Sequence, residues 1–555
     1  MESGVGIGTL DWIVIAIYFG VVVGIAVWAM RREGKEKDSA DYFLAGRNIG
    51  WFVVGASLFA SNIGSEHLVG LAGAGASSGF VMGQFELQAS LILLLLGWFF
   101  VPFYIKSGVF TMPEFLERRY SPAARWYLAT VAVIGYVMTK ISVTIYAGGL
   151  VLESLTGLDF WTGAIIVVVV TGVYTVLGGL RAVVYTDLMQ TIVLLVGSVA
   201  VTVIGLSQLG GWGAMVEIAE PDFFNIWKSA SHPEFPWTGL VFGAPIIGVW
   251  YWCTDQFIVQ RTLSARGIDD ARRGTILAGF LKQLPLFLFV LPGVVAYCLA
   301  QTGQIELSSP DAALPTLVAA LLPAGLRGLV VAGLIAALMS SLSSVFNSCS
   351  TLITLDIYKK LKPDASERQL VLVGQGATVG LVLLGIAWIP LMVDISDVLY
   401  QYLQSVQAYI APPITAVFLF GLLWQRLNAT GAMASLLSGF VLGMARIALE
   451  LEKDSLTGIL HTFATINFMN FATLLFIICS GILIIVSLLT KAPDPDQIRG
   501  LTFATAGEAT ASTTEDDIQR AISDPEWRRK DALFSGITIV IVGLVMVYFS
   551  NIVFG

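Results

Sequence analysis

Of 555 residues, 56% are hydrophobic and only 13% are charged, about half the charged share of an ordinary soluble domain. This excludes a water-soluble globule, because a chain this apolar needs the bilayer as its solvent. The net charge of -8 sits mostly in loops, and no basic tract points to nucleic acid.

In chain order, the first apolar run covers 10–30. Residues 1–9 carry no positive charge, while Arg31, Arg32, Lys35 and Lys37 follow the run. A secretory leader has the opposite order, so a spanning helix is expected here. Thirteen further runs follow, at 50–76, 81–105, 124–152, 160–177, 183–208, 238–260, 275–301, 327–357, 370–391, 397–424, 429–450, 464–489 and 533–552. Each is near the roughly 20 residues a spanning helix needs. Lys and Arg collect in cytoplasmic loops. They concentrate in the odd-numbered connections, including RREGKEK (31–37), ERRY (117–120), RTLSARGIDDARRG (261–274) and KKLKP (359–363), and are sparse in the even-numbered ones. The alternation predicts an all-α, multi-pass protein of the cell membrane with about fourteen transmembrane helices and both termini outside. The stretch 491–531 is the least apolar and reads as a cytoplasmic linker.

Two runs are interrupted by polar residues: GASLFASNIGSEHLVG (55–70) and PIIGVWYWCTDQFIVQR (245–261). Unwound backbone is tolerated in a membrane only where it lines a protein-enclosed cavity. Interrupted helices at matching positions of two halves therefore mark a solute and ion site. The glycine-rich AGAGASSG (72–79) lies within a span, so close helix packing is expected of it rather than phosphate binding.

The run GLVVAGLIAALMSSLSSVFNSCSTLITLDIY (328–358) places Ser340, Ser341, Ser343 and Ser344 within a little under half of the helix circumference. Hard cations take oxygen ligands, and hydroxyls beside freed carbonyls suit sodium. A lone serine would be read as a packing residue; four in five residues favour an ion site. Asp187 is an intramembrane carboxylate, either functional or structural near the cytoplasmic interface. A third set joins Asn62, Glu66, His67, Glu86, Lys282, Gln401 and Gln404 with the rings of Trp250, Tyr251, Trp252 and Tyr400. Carboxylates accept from hydroxyls, amides and cations donate to them, and rings cover an apolar sugar face. For any single charged member, pairing with another member is an equal alternative. The four cysteines, Cys253, Cys298, Cys349 and Cys479, lie in apolar stretches without disulfide or zinc spacing. No nucleophile with a neighbouring base, phosphate loop or metal cluster stands out, so no enzyme, no cofactor beyond a coupling ion and no partner protein are expected.

At these residues the chain resembles the sodium:solute symporter family, and within it the sodium/glucose cotransporters. The motifs that carry the resemblance are ASLFASNIGSEHLVGLAG (56–73), GWFFVPFYIKSGVFTMPEFLERRY (97–120), YTVLGGLRAVVYTDLMQ (174–190), WYWCTDQFIVQRTLSA (250–265), MSSLSSVFNSCSTLITLDIY (339–358) and GLLWQRLNATGA (421–432). The resemblance implies a LeuT-type 5+5 inverted-repeat core, with repeats at 43–208 and 238–426 joined by an extracellular loop at 209–237. An additional helix and first cytoplasmic loop would occupy 1–42, further helices 427–490, and a last helix 532–555 after the linker. It also implies a main sodium site at the carbonyls of Ala60, Ile63 and Ala337 and the hydroxyls of Ser340 and Ser341. A second site would use Asp187, Ser343 and Ser344. Solute contacts would fall on Asn62, His67, Glu86, Tyr251, Trp252, Lys282, Tyr400 and Gln404. Gly248 and Ala89 stand where sugar-carrying relatives place a polar side chain. The expected activity is sodium-coupled import of a small neutral sugar by alternating access, with inositol or an amino acid as alternative cargo.

Overall fold

A computed structural model describes residues 7–31, 44–64, 66–307, 309–393, 399–506 and 515–554. Their regular structure is helical, with one isolated parallel bridge between Ile49 and Ala265 and no β-strand among them. Among the described residues, nine helices are long and apolar enough to cross a membrane, or ten if the pair Leu195–Leu209 and Trp212–Ala219, bent by 74°, is one span. Five shorter apolar helices accompany them, among them Trp51–Asn62 and Gly239–Thr254. Those two belong to the interrupted runs: each is a piece that a break leaves too short to span alone. Residues Phe160–Leu209 form one continuous helix, so the boundary expected between the runs 160–177 and 183–208 is not marked by a break in helical backbone.

A boundary that is marked lies at Gly79, between the second and third runs. Its φ of 70° is in the left-handed region, and a Cβ there would run into the Phe223 carbonyl. Only glycine meets both demands. Just before it, a Cβ on Gly75 would strike the Val290 carbonyl, and one on Gly293 the Ala72 carbonyl. Backbone therefore meets backbone here, the use of small residues expected from AGAGASSG.

The serine-bearing helix, Leu326–Leu361, is the centre of the molecule, with 94% of its most apolar window buried. In contrast, Glu367–Ala387, Ala429–Glu450, Phe468–Leu489 and Pro525–Phe554 bury only 22–33% of theirs and expose apolar side chains such as Leu383, Val441, Ile477 and Leu544. Exposed apolar helix faces belong against lipid. The central helix is anchored by the first one. Asp11 accepts hydrogen bonds from the backbone N–H groups of Gly325 (2.6 Å) and Gly328 (2.9 Å), and pairs with Arg327 at 2.9 Å. A carboxylate at a helix N-terminus satisfies donors that have no partner within the helix.

Candidate functional site

Both expected interruptions are real. Trp51–Asn62 ends as Ile63 takes an extended conformation (φ -77°, ψ 98°), and helix resumes as a widened π turn at Glu66–Leu71. In the second, Trp250–Thr254 is itself a widened turn, Asp255 is extended (φ -79°, ψ 128°), and Gln256–Leu263 follows. The two broken spans meet at one end. Ile49 N–H donates to the Ser264 carbonyl at 3.0 Å, and Arg266 N–H to the Ile49 carbonyl at 3.2 Å.

The central helix faces the first break. Ser341 Oγ donates to the Ser61 carbonyl at 3.0 Å, between the two expected carbonyl positions, Ala60 and Ile63. A Cβ on Gly64 would collide with that same hydroxyl, so glycine at 64 admits it. Ala337 and Ser340 are buried on this helix, and Ser343 Oγ donates to the Ser340 carbonyl at 2.9 Å. Ser344 Oγ instead accepts from the Arg261 guanidinium. Arg261 also donates to Ser57 Oγ at 3.2 Å and to the Phe257 carbonyl, tying both broken spans to the serine helix. The side chains of Asp187 and Tyr400 lie outside the described residues.

Five of the expected polar side chains form one network. Lys282 is ion-paired with Glu86 and donates to Asn62 Oδ1. Asn62 Nδ2 donates to the Tyr251 hydroxyl at 2.8 Å. His67 Nε2 lies 3.1 Å from both Glu86 Oε1 and Lys282 Nζ. One ring nitrogen serves a single role at a time: protonated, it donates to Glu86 and leaves Nδ1 as an acceptor. Lys282 also sits 5.4 Å from the centre of the Trp252 ring. Asn62, Glu66, His67, Glu86, Tyr251, Trp252 and Gln404 line a cavity of about 530 Å³, part of it open to solvent. Gly248 and Ala89 line it too, and the Ile92 side chain occupies the space a Gly248 Cβ would need. Glu86 and Lys282 cancel each other's charge, so together they offer donors and acceptors without a net field.

Three features were missed by sequence reasoning. Lys140 pairs with Asp255 at 2.8 Å, both buried. A lone cation within YVMTKISVT (136–144) was the available signal. Arg261, counted above as a loop charge, is only 1% exposed; so is Arg119 of ERRY, which donates to the carbonyls of Gly421, Trp424 and Leu427. These two are structural cations, because buried guanidinium groups persist only where carbonyls or hydroxyls saturate their donors. Gln88 also lines the cavity.

The sequence model of the sodium:solute symporter family matches residues 42–439. Sodium/glucose cotransporter 1 of Oryctolagus cuniculus is 40% identical over 536 residues, covering 88% of this chain and 80% of that protein. The sodium/myo-inositol cotransporter of Mus musculus is 40% identical over 543 residues, covering 89% and 75% respectively. A solved structure of a Na+-coupled sialic acid symporter, in a substrate-bound outward-open state, superposes with a TM-score of 0.76 at 22% identity, covering 88% of this chain and 99% of that one; this likeness carries the fold. With two interrupted helices meeting a serine-bearing central helix beside a polar cavity, the chain belongs to the sodium:solute symporter family and is a multi-pass, sodium-coupled solute symporter rather than an enzyme.

Proposed function

We propose that the cargo is a small neutral sugar of the glucose or galactose type, imported with sodium by alternating access. The observation that carries this is the charge-compensated Glu86–Lys282 pair, joined to Asn62 and His67 and flanked by Tyr251 and Trp252. Paired groups offer several donors and acceptors to hydroxyls, and the rings offer a face to C–H groups. A pair that is already neutral leaves no spare counter-charge for an anionic cargo. Gln404 and Tyr400 complete the proposed contacts. Myo-inositol is the second reading, supported by relatives of equal identity that carry that name.

Sodium is the coupling ion. Its main site is assigned to the carbonyls of Ala60, Ile63 and Ala337 and the hydroxyls of Ser340 and Ser341. The approach of Ser341 to the broken backbone supports this reading. A second ion at Asp187, Ser343 and Ser344 would share Ser344 with the Arg261 cation, so the Asp187 charge must offset that repulsion. We assign to the chain fourteen transmembrane helices, two inverted five-helix repeats at 43–208 and 238–426, and both termini outside, a reading supported by the two interrupted helices, one in each proposed repeat.

In this mechanism sodium ties the central helix to the first break and favours the state with a formed cavity. It drives transport only by binding that state more tightly than the other. Each charge moved gains about 2.3 kcal/mol per 100 mV of membrane potential. Uptake of labelled glucose, galactose, myo-inositol and proline into proteoliposomes tests the reading. Glucose or galactose accumulation that collapses when choline replaces sodium is expected. Uptake confined to proline or myo-inositol overturns the sugar assignment, and flux indifferent to sodium overturns the coupling. In Asp187→Asn the sodium-to-solute ratio should fall; an unaltered ratio removes the second ion.

A further inference from the structure

Glu86 and Gln88 stand on the two edges of one helix face. At about 100° per residue they are about 160° apart, with Phe85, Ala89 and Ile92 between them, and all five line the cavity. Glu86 is engaged by Lys282 and His67. Gln88 is engaged on one side only. Its Nε2 donates to the Leu240 carbonyl at 2.8 Å and to Gln84 Oε1 at 3.2 Å, which uses both amide hydrogens. Its Oε1 is buried and finds no hydrogen-bond partner among the described residues.

The amide orientation follows from the chemistry of its neighbours. A backbone carbonyl only accepts, so the group facing Leu240 must be the nitrogen; reversing the amide would set two acceptors 2.8 Å apart. The next link agrees. Gln84 Nε2 donates to the Ile226 carbonyl at 3.4 Å, which turns Gln84 Oε1 toward Gln88 and again calls for a donor there. Ile226 belongs to the connection ahead of the second broken span, and its own N–H donates to the Phe549 carbonyl at 3.0 Å. A chain of hydrogen bonds thus runs from that connection to the cavity wall and ends in a fixed acceptor.

A buried acceptor without a donor is unfavourable and is normally satisfied by an O–H or N–H group. We propose that Gln88 Oε1 accepts a hydroxyl of the transported polyol at the end remote from the Glu86–Lys282 pair, and so determines which hydroxyl pattern is carried. Between the two polar edges, Phe85, Ala89 and Ile92 face the C–H surface of the ring. This rests on the polyol reading of the site and deepens it: the cargo carries hydroxyls on both ends.

The test is inhibition of sodium-driven uptake in proteoliposomes by glucose, myo-inositol and their monodeoxy analogues, with wild-type protein and Gln88→Met. In the wild type, one hydroxyl deletion is expected to weaken inhibition about five- to tenfold, the range of a single neutral hydrogen bond. In Q88M the parent polyol should weaken by a similar factor while that one analogue binds as it does to the wild type. A Q88M analogue profile that parallels the wild type overturns the assignment. If Q88M does not reach the membrane, Gln84→Met decides. It keeps Gln88 but removes one of the two acceptors that hold its amide, so the same analogue should lose part of its penalty, and an unchanged profile overturns the proposal. Wild-type protein that drives neither glucose nor myo-inositol uptake overturns the polyol reading itself, a different result from uptake with an unaltered profile.

Discussion

Lys140 Nζ lies 2.8 Å from Asp255 Oδ2, both side chains almost wholly buried, at the residue where the second broken span leaves helical geometry. The same ammonium sits 4.4 Å from the centre of the Tyr251 ring and 4.1 Å from that of Phe257. Asp255 also accepts from the Phe257 N–H at 3.2 Å, so one carboxylate both caps the resumed helix and holds a cation from a neighbouring span. Tyr251 is bonded to Asn62 in the first break. The pair therefore connects the geometry of both breaks to the Pro122–Glu153 span.

Removing one partner strands a buried charge, which costs about 3–5 kcal/mol. Asp255→Asn and Lys140→Met are each expected to lower the melting temperature in detergent and to suppress uptake. The double variant should recover much of the stability, since no unpaired charge is left. A melting-temperature cycle measures the coupling, and strictly additive single and double variants would rule it out.

Ser341→Ala removes the hydroxyl that approaches the broken backbone at Ser61. The sodium concentration for half-maximal uptake should rise about tenfold, the equivalent of about 1.4 kcal/mol. Sodium should also raise the melting temperature less than in the wild type, because an ion that binds only the folded state stabilises it by mass action. An identical sodium dependence in uptake and in melting would remove Ser341 from the ion site.

Glu86→Ala separates cargo from ion. Lys282 loses its carboxylate partner, and the cavity loses its main hydroxyl acceptor. Sugar should no longer shift the melting temperature, while the sodium-induced shift persists. Full retention of sugar affinity would contradict the cavity assignment, and loss of both shifts would mean that Glu86 supports the fold rather than the site.

Much of this arrangement was legible in the sequence because the membrane makes polar residues conspicuous. The runs SNIGSEH and WYWCTDQ stood out as polar interruptions, and both coincide with helix breaks. Asn62, His67, Glu86 and Lys282 could be grouped since each is costly in hydrocarbon unless partnered. Pairing was not legible: Lys140 and Asp255 are 115 residues apart, and helical periodicity does not say which faces meet. Arg261 misled because it opens a run of charges that resembles a loop, although it is buried against Ser57 and Ser344. The breaks also set helix length: Trp51–Asn62 and Gly239–Thr254 are pieces of longer apolar runs and are each shorter than a spanning helix.

A pH-dependent contribution to stability sits outside the spans, at Glu117. Its carboxylate accepts from Arg125 at 2.6 Å and from Lys360 at 2.7 Å, joining the start of one long span to the end of the serine helix. Burial alone would raise this carboxyl, but the hydrogen bonds from Lys360 and Arg125 prevail and hold it below the ordinary glutamate value. A lowered folded-state pKa means that the unfolded chain binds the proton more readily. The stabilisation is therefore fully present above the unfolded value of about 4.3 and is lost as pH falls through the folded one. In detergent, wild-type protein should melt higher than Glu117→Gln near neutral pH, and the gap should narrow as pH drops below about 4. Lys360 is 37% exposed, so added salt should narrow the gap as well. A gap that stays constant from neutral to acid pH would show that Glu117 acts through packing and not through its charge.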